Sequence, residues 1–142
     1  MNEDSDFRQF LDRQAEAEKA LVAGYVAPRL ALWTWKDPVS LMGAWGPNNV
    51  GWDAVSRTFQ WVAERLGQGT YTDFRYDIDV TEAIGDMAYT VGFERFNSIG
   101  ADGAVVPVTV RVTHVYRREG GEWKIVHRHG DLAPPDESPP SA

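Results

Sequence analysis

Four segments in the second half of the chain constrain its fold more than any other feature. They are rich in β-branched and aromatic residues, and they read YTDFRYDIDVTEAI, DMAYTVGFERFNS, VVPVTVRVTHVYRR and EWKIVHRHGD. The short sequences GD, GADG and EGG separate them, and connections of this length join antiparallel neighbours. The pattern therefore predicts a four-stranded antiparallel meander.

The first half is helical in character. Apolar residues recur every three to four positions in DSDFRQFLDRQAEAEKALVAGYV and GWDAVSRTFQWVAERLGQG, and APRLALWTWKD carries a proline in its first turn. We expect three helices, with Pro38 ending the second, and an extended piece followed by a loop in VSLMGAWGPNNVG. Helices first and strands after predict an α+β domain, in which the helices pack on one face of a curved, mainly antiparallel sheet.

Length and charge narrow the classes of function. The chain has 142 residues, which suits one domain; we place it at residues 1–131, followed by a Pro-rich tail at residues 132–142 that we expect to be disordered. A formal charge of −7 argues against a nucleic-acid partner, and the absence of cysteine excludes disulfides and thiolate chemistry. No apolar run reaches membrane-span length and the N-terminus does not resemble a signal peptide, so we expect a cytoplasmic protein with no membrane partner.

The hairpin VRVTHVYRREGGEWKIVHRHGD, residues 110–131, holds all three histidines of the chain. A two-residue turn at Gly120-Gly121 would place Glu119 opposite Glu122. Continued outward, this register predicts the cross-strand pairs Tyr116 with Ile125, Val115 with Val126, His114 with His127, Thr113 with Arg128, Val112 with His129 and Arg111 with Gly130. Because side chains alternate between faces, the arginines and Thr113 would share one face and the histidines the other. A one-residue bulge would swap the faces of one strand.

Arg111 needs a carboxylate or an anionic ligand if it is buried. Glu94, in the preceding strand, is our first candidate for that carboxylate. Two interpretations remain open: Arg111 and Glu94 line a ligand pocket, with Arg128 and Thr113 completing the wall, or they form a closed structural ion pair.

The order of these elements resembles a known superfamily over about residues 5–131. The motifs WKDPVSLMGAWG, GWDAVSRTFQWVAERL and HVYRREGGEWKIVHRH look similar to SnoaL-like members of the nuclear transport factor two-like superfamily. That group includes ketosteroid isomerases, SnoaL-like polyketide cyclases and the association domain of calcium/calmodulin-dependent kinase. The resemblance implies a cone, in which helices wrap a curved sheet and enclose a pocket open at one end.

The resemblance also implies site residues. Asp37 in KDPVS matches the carboxylate that moves a proton in ketosteroid isomerases. Thr113 falls where those isomerases hold the oxyanion with a protonated aspartate, and Tyr25 is a loose match to their oxyanion tyrosine. Near the positions of the pocket arginines in the kinase association domain lie Arg111, Glu94 and Arg128.

Each of these candidates has an ordinary structural alternative. Asp37 is either a general base with a raised pKa or a surface residue that caps a turn. His127 and His129 have the H-x-H spacing of metal ligands, with His114 or Asp131 as a third ligand. We favour instead a polar cluster at a subunit interface, or His127 touching the pocket if the register slips, and we assign no metal. Trp33 and Trp61 either line a slot for a flat ligand or form the core.

Our preferred hypothesis is a small-molecule enzyme that works without metal or cofactor, as an isomerase, cyclase or hydrolase. Asp37 would move the proton, while Arg111 and Thr113 would steady an oxyanion. The expected pocket residues are Trp33, Tyr25, Trp61, Glu94, Arg128 and His127. The competing hypothesis is a non-catalytic ligand-binding or oligomerisation module, which an exposed Asp37 would favour. We also expect a homodimer through the exposed sheet face, with apolar area supplied by Val112, Tyr116 and Ile125.

Overall fold

The computed structural model describes residues 3–140 and contains the predicted helices and meander. The helices are α1 (Glu3–Val22), α2 (Ala27–Leu32) and α3 (Trp52–Gly67). The strands are β1 (Ser40–Met42), β2 (Asn48–Val50), β3 (Thr70–Ile84), β4 (Met87–Ile99), β5 (Val105–Glu119) and β6 (Glu122–Leu132). They form one sheet in the order β2-β1-β6-β5-β4-β3, parallel between β1 and β6 and antiparallel elsewhere. The predicted α+β fold is confirmed.

The helices pack their apolar faces on the concave face of this sheet. Phe7 of α1 meets Tyr116 of β5 edge to face, with ring centroids 4.9 Å apart. Phe59 of α3 meets Trp33 in the same way at 4.8 Å. Pairs of this geometry add to the energy of burial.

The sheet bends where β3 passes over Gly92 of β4. A Cβ at this position would lie 2.2 Å from the backbone oxygen of Asp77, so only glycine fits. The register of β3 against β4 also shifts between Ile78 and Val80, which marks a bulge at the same place. Bulges and glycines of this kind increase twist and curvature, and here they wrap the sheet around the helices.

The hairpin follows the predicted register for four pairs and then departs from it. Gly120 and Gly121 both have positive φ angles, 56° and 82°, as a two-residue turn requires, and Glu119 lies opposite Glu122. Beyond the Tyr116–Ile125 pair the register shifts by one residue at Val126. The pairs that follow are Val115 with His127, His114 with Arg128, Thr113 with His129, Val112 with Gly130 and Arg111 with Asp131.

The predicted pairs beyond Tyr116 are therefore wrong, and so is the assignment of faces. Val112, His114 and Tyr116 point into the cone and are buried. Arg111 and Thr113 alternate with them and lie on the outer face. Because Val112, Tyr116 and Ile125 belong to the interior, they cannot supply the apolar area of an outer-face interface as we expected.

Three segments differ from the sequence prediction in detail. Helix α2 ends at Leu32 rather than near Pro38, because the backbone of Trp33 and Thr34 pairs with Ile125 of β6 instead. The expected loop after β1 contains the short strand β2. Leu132, placed in the tail, ends β6; residues 133–140 form no helix or strand, and residues 1, 2, 141 and 142 lie outside the described part. None of the helices within residues 3–140 is long and apolar enough to span a membrane.

Candidate functional site

A cavity of about 330 Å³ lies between the concave face of the sheet and the helices α1 and α3. Its size is at the low end of small-molecule pockets, which run from about 300 to 1,000 Å³. Most of its wall is apolar, from Leu21, Val22, Leu41, Phe59, Val62, Leu66, Phe96, Val108, Val110 and Leu132. Four of its charged side chains are buried, and they come from four different elements.

These four side chains form two linked ion pairs. Glu18 of α1 pairs with Arg29 of α2 through both carboxylate oxygens. Glu94 of β4 accepts hydrogen bonds from Arg128 of β6, at 2.6 Å from Nη1 and 2.8 Å from Nη2. Nη1 of Arg128 also lies 3.5 Å from Oε2 of Glu18, which joins the pairs into one network. Bidentate guanidinium–carboxylate pairs have the geometry that low-dielectric sites need to keep charges buried.

Burial and neighbouring charges shift the pKa values of the two glutamates in opposite directions. Burial raises the pKa of Glu18 above its ordinary value, and the nearby Glu94 raises it further against the opposing effect of Arg29. Burial also opposes ionisation of Glu94, but Arg128 outweighs it and holds the pKa of Glu94 at about 2. Two acids in one pocket are thus poised differently, and such divergence is characteristic of acid/base sites.

His114 lies behind Arg128 and is kept neutral. Its Nε2 is 3.2 Å from Nη1 of Arg128, and its Nδ1 is 2.9 Å from the hydroxyl of Tyr76. Arginine can only donate, so Nε2 accepts and Nδ1 carries the proton that it donates to Tyr76. Burial, reinforced by Arg128, lowers the pKa of His114 well below its ordinary value.

A second layer of hydrogen bonds continues beneath this site. The hydroxyl of Tyr116 donates to Oε1 of Gln14 at 2.6 Å and lies 3.0 Å from Oγ1 of Thr90. Burial raises the pKa of Tyr116 well above its ordinary value, so its proton stays in place. These bonds tie α1 to β4 and β5 beneath the site.

Of the predicted site residues, the structure brings Glu94 and Arg128 into the cavity wall. The predicted pairing of Glu94 with Arg111 is wrong, because Arg128 occupies that carboxylate. Arg111 lies instead on the outer face and makes a bidentate pair with Asp131, at 2.7 and 2.8 Å. Thr113 is half-buried on the same outer face.

The expected grouping of Asp37 with Arg111 and Thr113 in one cavity is likewise not found. Asp37 is exposed in the segment between α2 and β1. Helix α2 ends at Leu32, so Asp37 falls in the segment that connects it to β1 and not at the end of the helix.

The remaining predicted pocket residues surround the cavity without lining it. Trp33 is a core residue, and Tyr25 is 68% exposed. Trp61 is 44% exposed on α3 and packs on Trp45, which does line the cavity. His127 lies on the outer face, where its Nδ1 is 2.7 Å from Oγ of Ser40. Within residues 3–140 no three His, Cys, Asp or Glu side chains are grouped as a metal site.

Sequence reasoning missed Glu18, Arg29 and His114. A signal for Glu18 was present: it follows Gln14 by four residues and so falls on the stripe that helix α1 buries. An acidic residue on an apolar stripe needs a partner, and Arg29 in the next helix is the first cation on an adjacent element. For His114 the signal was its position in the strand. It lies an even number of residues from Val110, Val112 and Tyr116, and residues at that spacing share one face of a strand.

The chain belongs to the SnoaL-like domain family, whose pattern matches residues 14–134. Its fold is that of solved proteins named as nuclear transport factor two-like. No curated protein matches the chain.

Solved structures support the same assignment of the fold. A nuclear transport factor two-like protein from Streptomyces avermitilis, named as a dehydratase, is 23% identical with a TM-score of 0.75 over 93% of this chain and 99% of its own. A ketosteroid isomerase-like protein from Erwinia carotovora is 21% identical with a TM-score of 0.72 over 95% and 100%. A protein from Thiobacillus denitrificans is named for the calcium/calmodulin-dependent protein kinase type II association domain. It is 21% identical with a TM-score of 0.69 over 83% of this chain and 90% of its own. At these identities the similarity shows the fold alone.

Proposed function

We propose that this SnoaL-like protein is a metal- and cofactor-independent acid/base enzyme. It acts on a small, mainly apolar, carbonyl-bearing molecule, with Glu18 as the group that moves the proton. The observation that carries the proposal is the pair of buried glutamates in one apolar cavity, Glu18 with a raised pKa and Glu94 with a pKa of about 2.

The chemistry follows from this difference. Glu94 stays ionised and holds Arg128, so the positive charge at the base of the cavity is fixed in place. Burial raises the pKa of Glu18 above its ordinary value, so Glu18 takes up a proton more readily than Glu94 does. As a proton leaves a carbon next to a carbonyl, negative charge grows on the carbonyl oxygen, and the adjacent guanidinium groups of Arg29 and Arg128 steady it. Double-bond isomerisation and aldol cyclisation both begin with this step.

Hydrogen–deuterium exchange tests the proposal without knowledge of the substrate. The protein is incubated in D₂O with small cyclic and aryl ketones, and deuterium next to the carbonyl is measured by mass spectrometry. We expect faster exchange with the wild-type protein than with Glu18→Gln, while Glu16→Gln, an exposed glutamate on the same helix, keeps the wild-type rate. Carboxyl-detected NMR gives an independent readout, in which Glu18 titrates above 4.5 in the wild-type protein.

A second function, ligand binding without catalysis, is favoured by one specific observation. Asp37, which corresponds to the proton-moving carboxylate of ketosteroid isomerases, is exposed to solvent. Ketones that bind and stabilise the protein but exchange no faster than in buffer would establish this alternative and remove the proposed role of Glu18.

A further inference from the structure

The mouth of the cavity carries a cation that is held by aromatic rings. The guanidinium carbon of Arg65 on α3 lies 4.0 Å from the ring centroid of Trp45 and 5.7 Å from that of Trp61. The two indoles contact each other edge to face at 5.8 Å. Within residues 3–140 no carboxylate pairs with Arg65, so the rings position the cation and leave its N–H donors unoccupied by an acid.

This cation sets the net charge of the cavity. Arg29 and Arg128 are each matched by a buried glutamate, and Arg65 adds a third arginine to a lining with two glutamates. The cavity is therefore positive in a chain whose formal charge is −7. The excess lies at the exposed rim, whereas the walls between rim and base are apolar.

The geometry points to an amphipathic acid as the ligand: a molecule with a short apolar body and a carboxylate that remains at the mouth on Arg65. The body would fill the apolar wall, and its inner end would reach Glu18, so this assignment rests on the function proposed above. Contact with Trp45 holds the guanidinium group at the mouth, where its N–H groups can pair with a planar carboxylate. Arg29 and Arg128 at the base each have a glutamate partner, so Arg65 is the cavity arginine that a ligand carboxylate would pair with.

A pair of matched probes tests the assignment by calorimetry. 4-Phenylbutanoate carries the carboxylate, and 4-phenylbutanamide has the same shape without the charge. We expect the wild-type protein to bind the carboxylate about ten-fold more tightly than the amide, as one charge-assisted hydrogen-bond pair at a partly exposed site provides. Arg65→Gln should bind both probes equally, and Arg57→Gln, the same change at an exposed position of the same helix outside the cavity wall, should keep the preference.

Three outcomes would overturn the assignment. Equal affinities in the wild-type protein, no binding of either probe, or a preference that survives Arg65→Gln would each show that Arg65 does not select the ligand. In the last case a lower thermal midpoint would identify Arg65 as a residue that only stabilises the C-terminal end of α3. The ketone exchange experiment tests Glu18 with uncharged molecules and does not depend on Arg65. Failure of the proposed function can therefore be distinguished from failure of the carboxylate site at Arg65.

Discussion

Removing the carboxylate of Glu94 should cost the protein a large part of its stability. Glu94→Gln keeps the shape of the side chain but leaves Arg128 buried without its partner. The pKa of Glu94 is about 2 against an ordinary value of 4.5, and at about 1.4 kcal/mol per pH unit this corresponds to about 3 kcal/mol. Breaking a buried ion pair from one side typically costs about 3–5 kcal/mol, so the two arguments agree.

The sign of the pH dependence provides a stricter check. The folded-state pKa of Glu94 is depressed, so its contribution is fully present above its unfolded value of 4.5 and is lost as the pH falls toward 2. Urea titrations followed by tryptophan fluorescence should therefore show Glu94→Gln less stable by about 3 kcal/mol at neutral pH. The gap to the wild-type protein should narrow steadily below about pH 4.5.

An exposed pair of the same kind is the control. Arg111 and Asp131 make a bidentate pair across neighbouring strands, but on the outer face of the sheet. Water screens such pairs, so Asp131→Asn should leave the free energy of unfolding almost unchanged. If Glu94→Gln were as mild as Asp131→Asn at neutral pH, or if the gap did not close in acid, the account of the buried network would be refuted.

Two further predictions concern His114 and the outer face. Because the native state keeps His114 neutral while the unfolded chain binds a proton near 6.5, its contribution is present above that pH and is lost below it. His114→Gln should therefore flatten the loss of unfolding free energy between about pH 7 and 5 in urea titrations, and an unchanged slope would contradict this. Tyr89 and Val91 are 39% and 38% exposed on the outer face, beside Val115 and Thr113, so we expect this face to pair two copies of the chain. Light scattering should then give twice the chain mass, falling to the single mass for Val91→Asp; a monomeric wild-type protein would disprove the interface.

Local patterns predicted most of the fold because each element carries its own signal. The four strand segments and the glycine turn at Gly120-Gly121 appear where composition placed them. The stripe of α1 faces the sheet because helical periodicity alone decides which side is apolar. Strand β2 was missed because three residues of NNV resemble a loop in composition and become a strand only by pairing with β1.

The prediction of the hairpin faces was wrong, but the alternation of apolar residues along β5 could have corrected it. In β5 the positions of Val110, Val112 and Tyr116 alternate with Arg111, and an apolar set in alternation normally faces the core. The bulge at Val126 is a different case. It depends on how β6 meets β1 and β5 together, and the sequence carries no glycine or proline at that position to announce it.

The site was harder to predict than the fold because its four buried charges come from four elements. Glu18 and Arg29 are 11 residues apart, and Glu94 and Arg128 are 34 apart, so no local spacing joins them. A core of this size has no need of such groups, since apolar side chains of similar volume are often at least as stabilising as a buried ion pair. The network instead keeps polar groups in place beneath an open cavity, where a packed apolar cluster would close the space. The cost of burying these charges and the presence of the cavity beside them both support the ligand site proposed above.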